Sequence, residues 1–307
     1  MSGASRAGRG RRPAARERGA GGLPLFGGPL DRGAPAPPPD APPDPGARIL
    51  VGTSGYSFAD WVGPFYPPGM RASDFLRHYA EHFPAVEVNA TYYRIPAPDT
   101  FERMEKKTPP GFRFVVKLHQ SMTHEASAAP AICRELLDAI APLREAGKLD
   151  GLLAQFPWAF RRTPGHEAHL EALRERFGAD PLFVEFRHDS WAAPDLGPFL
   201  EARGLGYCAV DEPALEHLMP PIALRTAPDA YVRFHGRNAQ NWWGRGGGDR
   251  YDWDYRADEL REWLAKIQAL ADQARRTYLF FNNCHAGQAA RSARLMQELL
   301  RQQQLGA

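Results

Sequence analysis

Cysteine is scarce in this sequence. Cys133, Cys208 and Cys284 stand far apart, with no CxxC pair among them. An odd, unspaced set of thiols excludes a disulfide framework and a zinc ribbon, and a reducing cytoplasm is the compartment expected of such a chain. Long apolar runs are also missing: none approaches the roughly 20 residues of a membrane span, so no membrane partner is expected. Charge of one sign is not in excess, since the formal net charge is only +2. That excludes a chain built overall as a polycation for nucleic acid, while leaving room for a local basic patch. No G-x-G-x-x-G follows the first apolar run, where "GTSG" lacks the third glycine, and no G-x-x-x-x-G-K-[ST] occurs. Dinucleotide and P-loop binding therefore have no motif to stand on. H-x-H and H-E-x-x-H spacings are absent too.

The first 46 residues, Arg/Gly/Ala-rich and then Pro-rich ("APAPPPDAPPDPG"), cannot bury enough apolar surface to offset their ordering entropy. They are expected to form a disordered tail without a secretory signal, and residues 47–307 a single folded domain. In that domain eight short apolar runs read as strands: 48–54, 85–91, 112–119, 151–157, 182–188, 206–212, 230–236 and 277–283. Helix patterns separate most of them. One starts at Ser73 as an N-cap, one spans 129–147, and one, "GHEAHLEALRERFG", stops at a glycine. Only the connection after the sixth strand reads as irregular. Alternation of strand and helix implies parallel βαβ units. Eight units in about 260 residues fit a single (β/α)8 TIM-like barrel of the α/β class; an open doubly wound sheet is the alternative.

Strand side chains alternate between two faces, which sorts the polar residues. Glu87 and Asn89 oppose Val86 and Val88. Lys117 and His119 share a face, Glu185 and Arg187 oppose Val184 and Phe186, and Arg233 and His235 oppose Val232 and Phe234. Gln155, Asp211, Asn282 and Asn283 add polar groups near the carboxyl ends of three more strands, where barrel active sites lie. Burying so many ionisable groups is harder than filling the barrel with Val and Leu, so the cluster points to a pocket. A structural ion pair, such as Glu185 with Arg233, is the competing account of any one pair.

The blocks "VGTSGYSFADWVGPFYP", "VEVNATYYRIP", "TPPGFRFVVKLHQSMTH", "LLAQFP", "VEFRHDSW", "VRFHGRN" and "FFNN" followed by "GQA" resemble, in order, the signature blocks of the YecE-like family, known as domain of unknown function seventy-two. The resemblance runs from about Ile49 to the end and leaves out the tail. It implies a TIM-barrel-like fold and brings no assigned reaction. The chain departs from the family pattern at Cys284 and Ser292, which weakens Cys284 as a nucleophile; a neighbouring His285 in sequence does not make a catalytic dyad.

Three functions fit these residues. The first is an enzyme acting on a polar anionic substrate, phosphorylated or sugar-like. Glu185 and then His235 are its expected acid or base, with Asp211 and Glu87 as further catalytic candidates; Glu87 with Glu185 would be a carboxylate pair. Lys117, Arg187, Arg233 and Arg237 would hold the anion, and Asn89, Tyr92, His119, Gln155, Asn238, Asn282 and Asn283 the rest of the substrate. Tyr56, Trp61, Tyr92, Tyr93, Trp158, Trp191, Trp242, Trp243 and Trp253 offer rings for a sugar or base. The second is a metal-dependent nucleic-acid phosphodiesterase, with a divalent ion drawn from His119, His235, His285, Glu185 and Asp211, all legitimate ligand types. The third is a non-catalytic barrel that binds a ligand unchanged.

Overall fold

The computed structural model describes residues 48–125, 129–244 and 249–305. The expected tail and the domain boundary at residue 47 lie outside the described residues. Eight parallel strands close into a barrel in sequence order: β1 (Ile49–Ser54), β2 (Ala85–Val88), β3 (Arg113–Lys117), β4 (Leu149–Gln155), β5 (Leu182–Glu185), β6 (Gly206–Asp211), β7 (Ala230–Phe234) and β8 (Thr277–Phe281). Closure is made by β1 pairing with β8, from Ile49 opposite Thr277 to Thr53 opposite Phe281. Among the described residues the outer helices are α1 (Phe75–Ala80), α2 (Pro98–Lys106), α3 (Gln120–Thr123), α4 (Pro130–Ala139), α5 (Ala141–Glu145), α6 (Pro164–Phe177), α7 (Leu196–Glu201), α8 (Ala257–Ala271) and α9 (Gln288–Gln302). None is long and apolar enough to cross a membrane.

Local chemistry explains where these elements begin and end. Thr163 caps α6 by accepting from the His166 N–H at 3.2 Å, and Gly178 stops it with a positive φ of 54°. The helix expected over 129–147 is broken into α4 and α5, because Pro142 lacks an N–H and its ring crowds the carbonyl four residues back. Ser73 is not an N-cap: it sits within a 3-10 turn, Ala72–Asp74, and α1 starts after it. The irregular connection stands between β6 and β7, where Pro213, Pro220, Pro221 and Pro228 interrupt any helical hydrogen-bond ladder. The strands also end earlier than their apolar runs. Asn89 already has helical dihedrals, and β3 stops at Lys117, so His119 becomes the cap of α3, its Nδ1 accepting from the Ser121 N–H.

Alternation divides the core into two. Val86, Val88, Val184, Phe186, Val232 and Phe234 pack outward under the helices. Leu50, Ala85, Val115, Leu153, Phe183, Cys208, Tyr231, Tyr278 and Phe280 fill the barrel interior. The large rings need room opposite them. A Cβ on Gly52 would stand 2.1 Å from the Ala85 carbonyl oxygen, and one on Gly206 2.5 Å from the Phe183 ring. This apolar plug blocks the barrel below and forces polar chemistry to its carboxyl end.

Candidate functional site

Directly above the plug lies a closed ionic layer. Arg233 from β7 donates through Nη1 to Glu185 Oε2 at 2.7 Å and through Nη2 to Glu87 Oε1 at 2.6 Å. Tyr231 donates its hydroxyl to the other Glu87 oxygen at 2.6 Å. Glu87 and Glu185 have no exposed surface, and Arg233 is 1% exposed. Buried charges of this kind persist only when paired and hydrogen-bonded, and here one guanidinium serves two carboxylates.

The next layer begins at Arg187, two residues beyond Glu185 along the same face. Its Nε donates to Glu185 Oε1 at 2.6 Å and its Nη1 to Glu212 Oε2 at 3.1 Å. His235 Nε2 stands 3.2 Å from Glu185 Oε1, and Asn282 Nδ2 is 3.1 Å from His235 Nδ1. Arg187 Nη2 also approaches the ring, 3.4 Å from Nδ1 and 3.1 Å from Nε2. A neutral imidazole with its proton on Nε2 donates to Glu185 and accepts at Nδ1 from Asn282 and Arg187; this tautomer is assigned from those partners. Burial and the neighbouring Arg187 push His235 down to about 3. Burial would raise Glu185, but Arg233 and Arg187 overcome it and hold the carboxyl well below the usual range. Both groups are thus fixed in one protonation state at neutral pH.

The geometry sets Glu185, His235 and Glu87 in a paired ionic layer. Glu185 cannot give up a proton it does not carry, and its oxygens are occupied by guanidinium and imidazole donors. Glu87 and Glu185 are bridged by Arg233 instead of flanking a substrate. Asp211 is placed outside the cavity. It points outward to α8, accepting from Trp263 Nε1 at 2.6 Å, Tyr255 at 2.6 Å and Arg237 Nη2 at 2.6 Å. Glu212, one residue later, is the inward carboxyl. Burial raises it to about 8 against the pull of Arg187.

Above these layers opens a cavity of about 480 Å³. Lys117, Gln155, Arg187, Asn89 and Asn282 lie on its floor and lower walls, and Tyr92, Trp158, Trp242 and Tyr251 add aromatic surface. Arg250 lines it too, as do Tyr93 and Trp243, which are 75% and 55% exposed. Lys117 Nζ donates to Gln155 Oε1 at 2.8 Å and stands 4.4 Å from the centre of the Tyr92 ring. Burial and the nearby Arg233 push the Lys117 ammonium down to about 7. His124, at the same wall, is lowered to about 4 by burial, Lys117 and Arg187.

Other expected site residues are placed elsewhere. Arg237 and Asn238 line a second, shallower depression beside Trp253. Asn283 faces away from the pocket, donating to the Trp253 carbonyl and Ser292. Trp61 and Trp191 are fully buried packing residues, and Tyr56 packs against the same core. Burial pushes the Cys284 thiol up, away from the thiolate a nucleophile needs. The ligand types named for a metal are scattered. Among the described residues, ligand atoms come within 4.8 Å of one another in His188, Asp189 and His217, and in His78, Glu81 and His82 on and beside α1. Sequence reasoning missed Glu212, His124, Leu218, Arg250 and Tyr251. For Glu212 no local signal was available, since the strand before it is apolar on both faces.

A family model described as "Protein of unknown function DUF72" matches residues 50–307. The UPF0759 protein YunF of Bacillus subtilis (strain 168) is 33% identical over 269 residues, covering 82% of this chain and 94% of the relative. The UPF0759 protein YecE of Escherichia coli (strain K12) is 26% identical over 278 residues, covering 82% and 93%. Among solved structures, a DUF72 family protein from Thermotoga maritima MSB8 superposes with a TM-score of 0.77 at 39% identity, covering 82% of this chain and 99% of that one. A DUF72 family protein from Enterococcus faecalis V583 gives 0.74 at 28% identity, covering 82% and 95%.

Proposed function

We propose that this chain, which belongs to the DUF72 family of unknown function, is an enzyme acting on a polar anionic substrate, phosphorylated or sugar-like, in the cavity at the carboxyl ends of the strands. The observation that carries this reading is the convergence of Lys117, Arg187 and Arg250 on one aromatic-walled cavity. A cation cluster in an aromatic-walled pocket attracts an anion, and the rings of Trp158, Trp242 and Tyr92 suit the flat or apolar face of a sugar. Arg187 is preorganised: Glu185 and Glu212 hold its Nε and Nη1, so its orientation is set before a ligand arrives. Lys117 lines the cavity and is the group there nearest neutrality, at about 7. It replaces Glu185 and His235 as the proton-transfer candidate, because a catalytic acid or base works best near the operating pH.

Tryptophan fluorescence during titration with inorganic phosphate tests the anion site. Arg250→Met removes a cation at the pocket wall without touching the buried layer, and is expected to weaken binding about tenfold, the value of one charged hydrogen bond. Equal affinity in the variant and the wild type would count against the reading.

A second reading, a metal-dependent phosphodiesterase, is favoured by the exposed Tyr93 and Trp243 at the cavity, which can stack bases. It would draw its ion from His188, Asp189 and His217. Salt-dependent binding of single-stranded DNA, together with metal analysis of the purified protein, separates it from the first.

A further inference from the structure

The chain has five lysines, and four are engaged in ways that hold the charged form or keep it at the surface. Lys106 pairs with Glu102 at 2.5 Å, and Lys148 with Glu105 at 2.9 Å. Lys107 donates to the Ser73 carbonyl and Lys266 to the Pro221 carbonyl, each at 2.8 Å. Lys117 is different. It lines the cavity, its hydrogen-bond partner is the neutral Gln155 amide oxygen, and among the described residues no carboxylate lies within ion-pair distance of its Nζ. The nearby carboxylates, Glu87 and Glu185, are both taken by Arg233. An amine deprived of a counter-ion, with guanidiniums near it, is poised as a nucleophile. Its depressed ammonium acidity, about 7, agrees with that geometry.

The rest of the cavity supplies what a carbonyl ligand needs. Arg187 stands ready for an anionic group, and Asn89, Asn282 and Tyr251 bring polar groups to the same cavity. We propose that Lys117 forms a Schiff base with the substrate, which makes the ligand a phosphorylated or carboxylated aldehyde or ketone. This deepens the anionic-substrate reading and rests on it. In the step, the Nζ lone pair attacks the carbonyl carbon and the carbonyl oxygen takes up a proton, giving a carbinolamine. The C–O bond then breaks and water leaves. Both amine hydrogens are lost overall, so that amine plus carbonyl balances imine plus water without oxidant or reductant. The imine withdraws electrons from the adjacent carbon, the service for which lysine is used in covalent catalysis.

The test uses the full chain, glycolaldehyde phosphate as probe and sodium borohydride to trap the imine, with intact-mass and peptide analysis. The expected result is one adduct per chain, on the peptide carrying Lys117. At about pH 7.5 it should form roughly tenfold or more faster than at Lys106 or Lys107, because an ordinary lysine is almost wholly protonated there. Lys117→Arg places there a guanidinium that cannot form an imine, and should lose the adduct. If the wild-type protein is labelled on Lys106, Lys107 and Lys266 as fast as on Lys117, or if Lys117→Arg keeps the adduct on the same peptide, the proposal is overturned; the wild-type peptide map decides this even if the variant fails to fold. Phosphate titration of the same sample separates the two readings. Phosphate binding without a Lys117 adduct removes the Schiff base and leaves the anion pocket standing, whereas absent phosphate binding removes the pocket reading itself.

Discussion

A single substitution at the centre of the site distinguishes support from chemistry. Glu185 accepts hydrogen bonds from Arg233 and Arg187 in a layer shut off from solvent. Glu185→Gln leaves two buried guanidiniums short of a charge partner, and removing one member of such a pair costs about 3–5 kcal/mol. The expected outcome is a loss of that size in denaturant unfolding, with the far-ultraviolet spectrum of the remaining folded protein unchanged. A variant as stable as wild type would mean that the layer is not carrying its charges as the geometry indicates. The same residue shows how far parity reasoning reaches. Alternation along "FVEFRH" turns Glu185 and Arg187 inward, as the structure has them, but alternation carries no information on whether an inward carboxylate is paired from below or free toward substrate. The partner, Arg233, is 48 residues away and meets it only through barrel closure.

At the scale of elements, the barrel depends on small residues opposite large rings. Gly52 of β1 and Gly206 of β6 give Phe280 and Phe183 their space. Gly52→Ala drives a methyl group against the Ala85 carbonyl oxygen, and overpacking a tight core costs about 1–3 kcal/mol. Thr163→Ala, at the exposed start of α6, removes one capping bond worth about 1 kcal/mol. Thermal melts of the two variants should therefore both fall, with Gly52→Ala falling further; the reverse order would contradict the packing described for the barrel interior. Strand β6 explains why Asp211 was misplaced from sequence. "GYCAV" is apolar on both faces, so no polar–apolar alternation marks which parity is inward. Trp263 and Tyr255 of the α8 region, which claim Asp211, lie about 50 residues downstream.

Across the whole molecule, buried groups with shifted proton affinities set the pH dependence of stability. Lys117 is lowered to about 7, so the unfolded chain binds a proton that the native one lacks, and stability falls as pH drops from 10.5 toward 7. Glu212 is raised to about 8, so the native state keeps a proton that the unfolded state has released above 4.5, and stability is lost as pH rises from 4.5 through 8. His235 is lowered to about 3, so stability falls as pH drops from 6.5 toward 3. Between about 4.5 and 6.5 Glu212 opposes His235, while His124 and His188, both lowered by burial, add to His235; between about 7 and 8 Glu212 opposes Lys117. Below about 4.5 Glu212 no longer contributes, and Glu185, held far down by its arginines, adds to the histidines. Urea unfolding across pH is expected to show a gentle fall as pH drops from 6.5 that steepens below about 4.5. In Glu212→Gln the fall between 6.5 and 4.5 should be steeper than in wild type by one proton, about 1.36 kcal/mol per pH unit. Equal slopes in the two proteins would show that Glu212 is ionised in the folded protein.

The amino-acid sequence by itself determined the periodic features: eight strands, the helices between most of them, the irregular stretch after the sixth, and the faces of β2, β5 and β7. These follow from local steric preference and from burial of one face, which a linear pattern records. Tertiary structure alone decided which inward groups neutralise one another and which meet the cavity. Arg233 joins Glu87 and Glu185 from three strands, Glu212 replaces Asp211 at the inward position, and Lys117 is left with a neutral partner. Pairing, burial and the resulting proton affinities depend on distances between residues far apart in the chain. Those distances exist only once the barrel has closed.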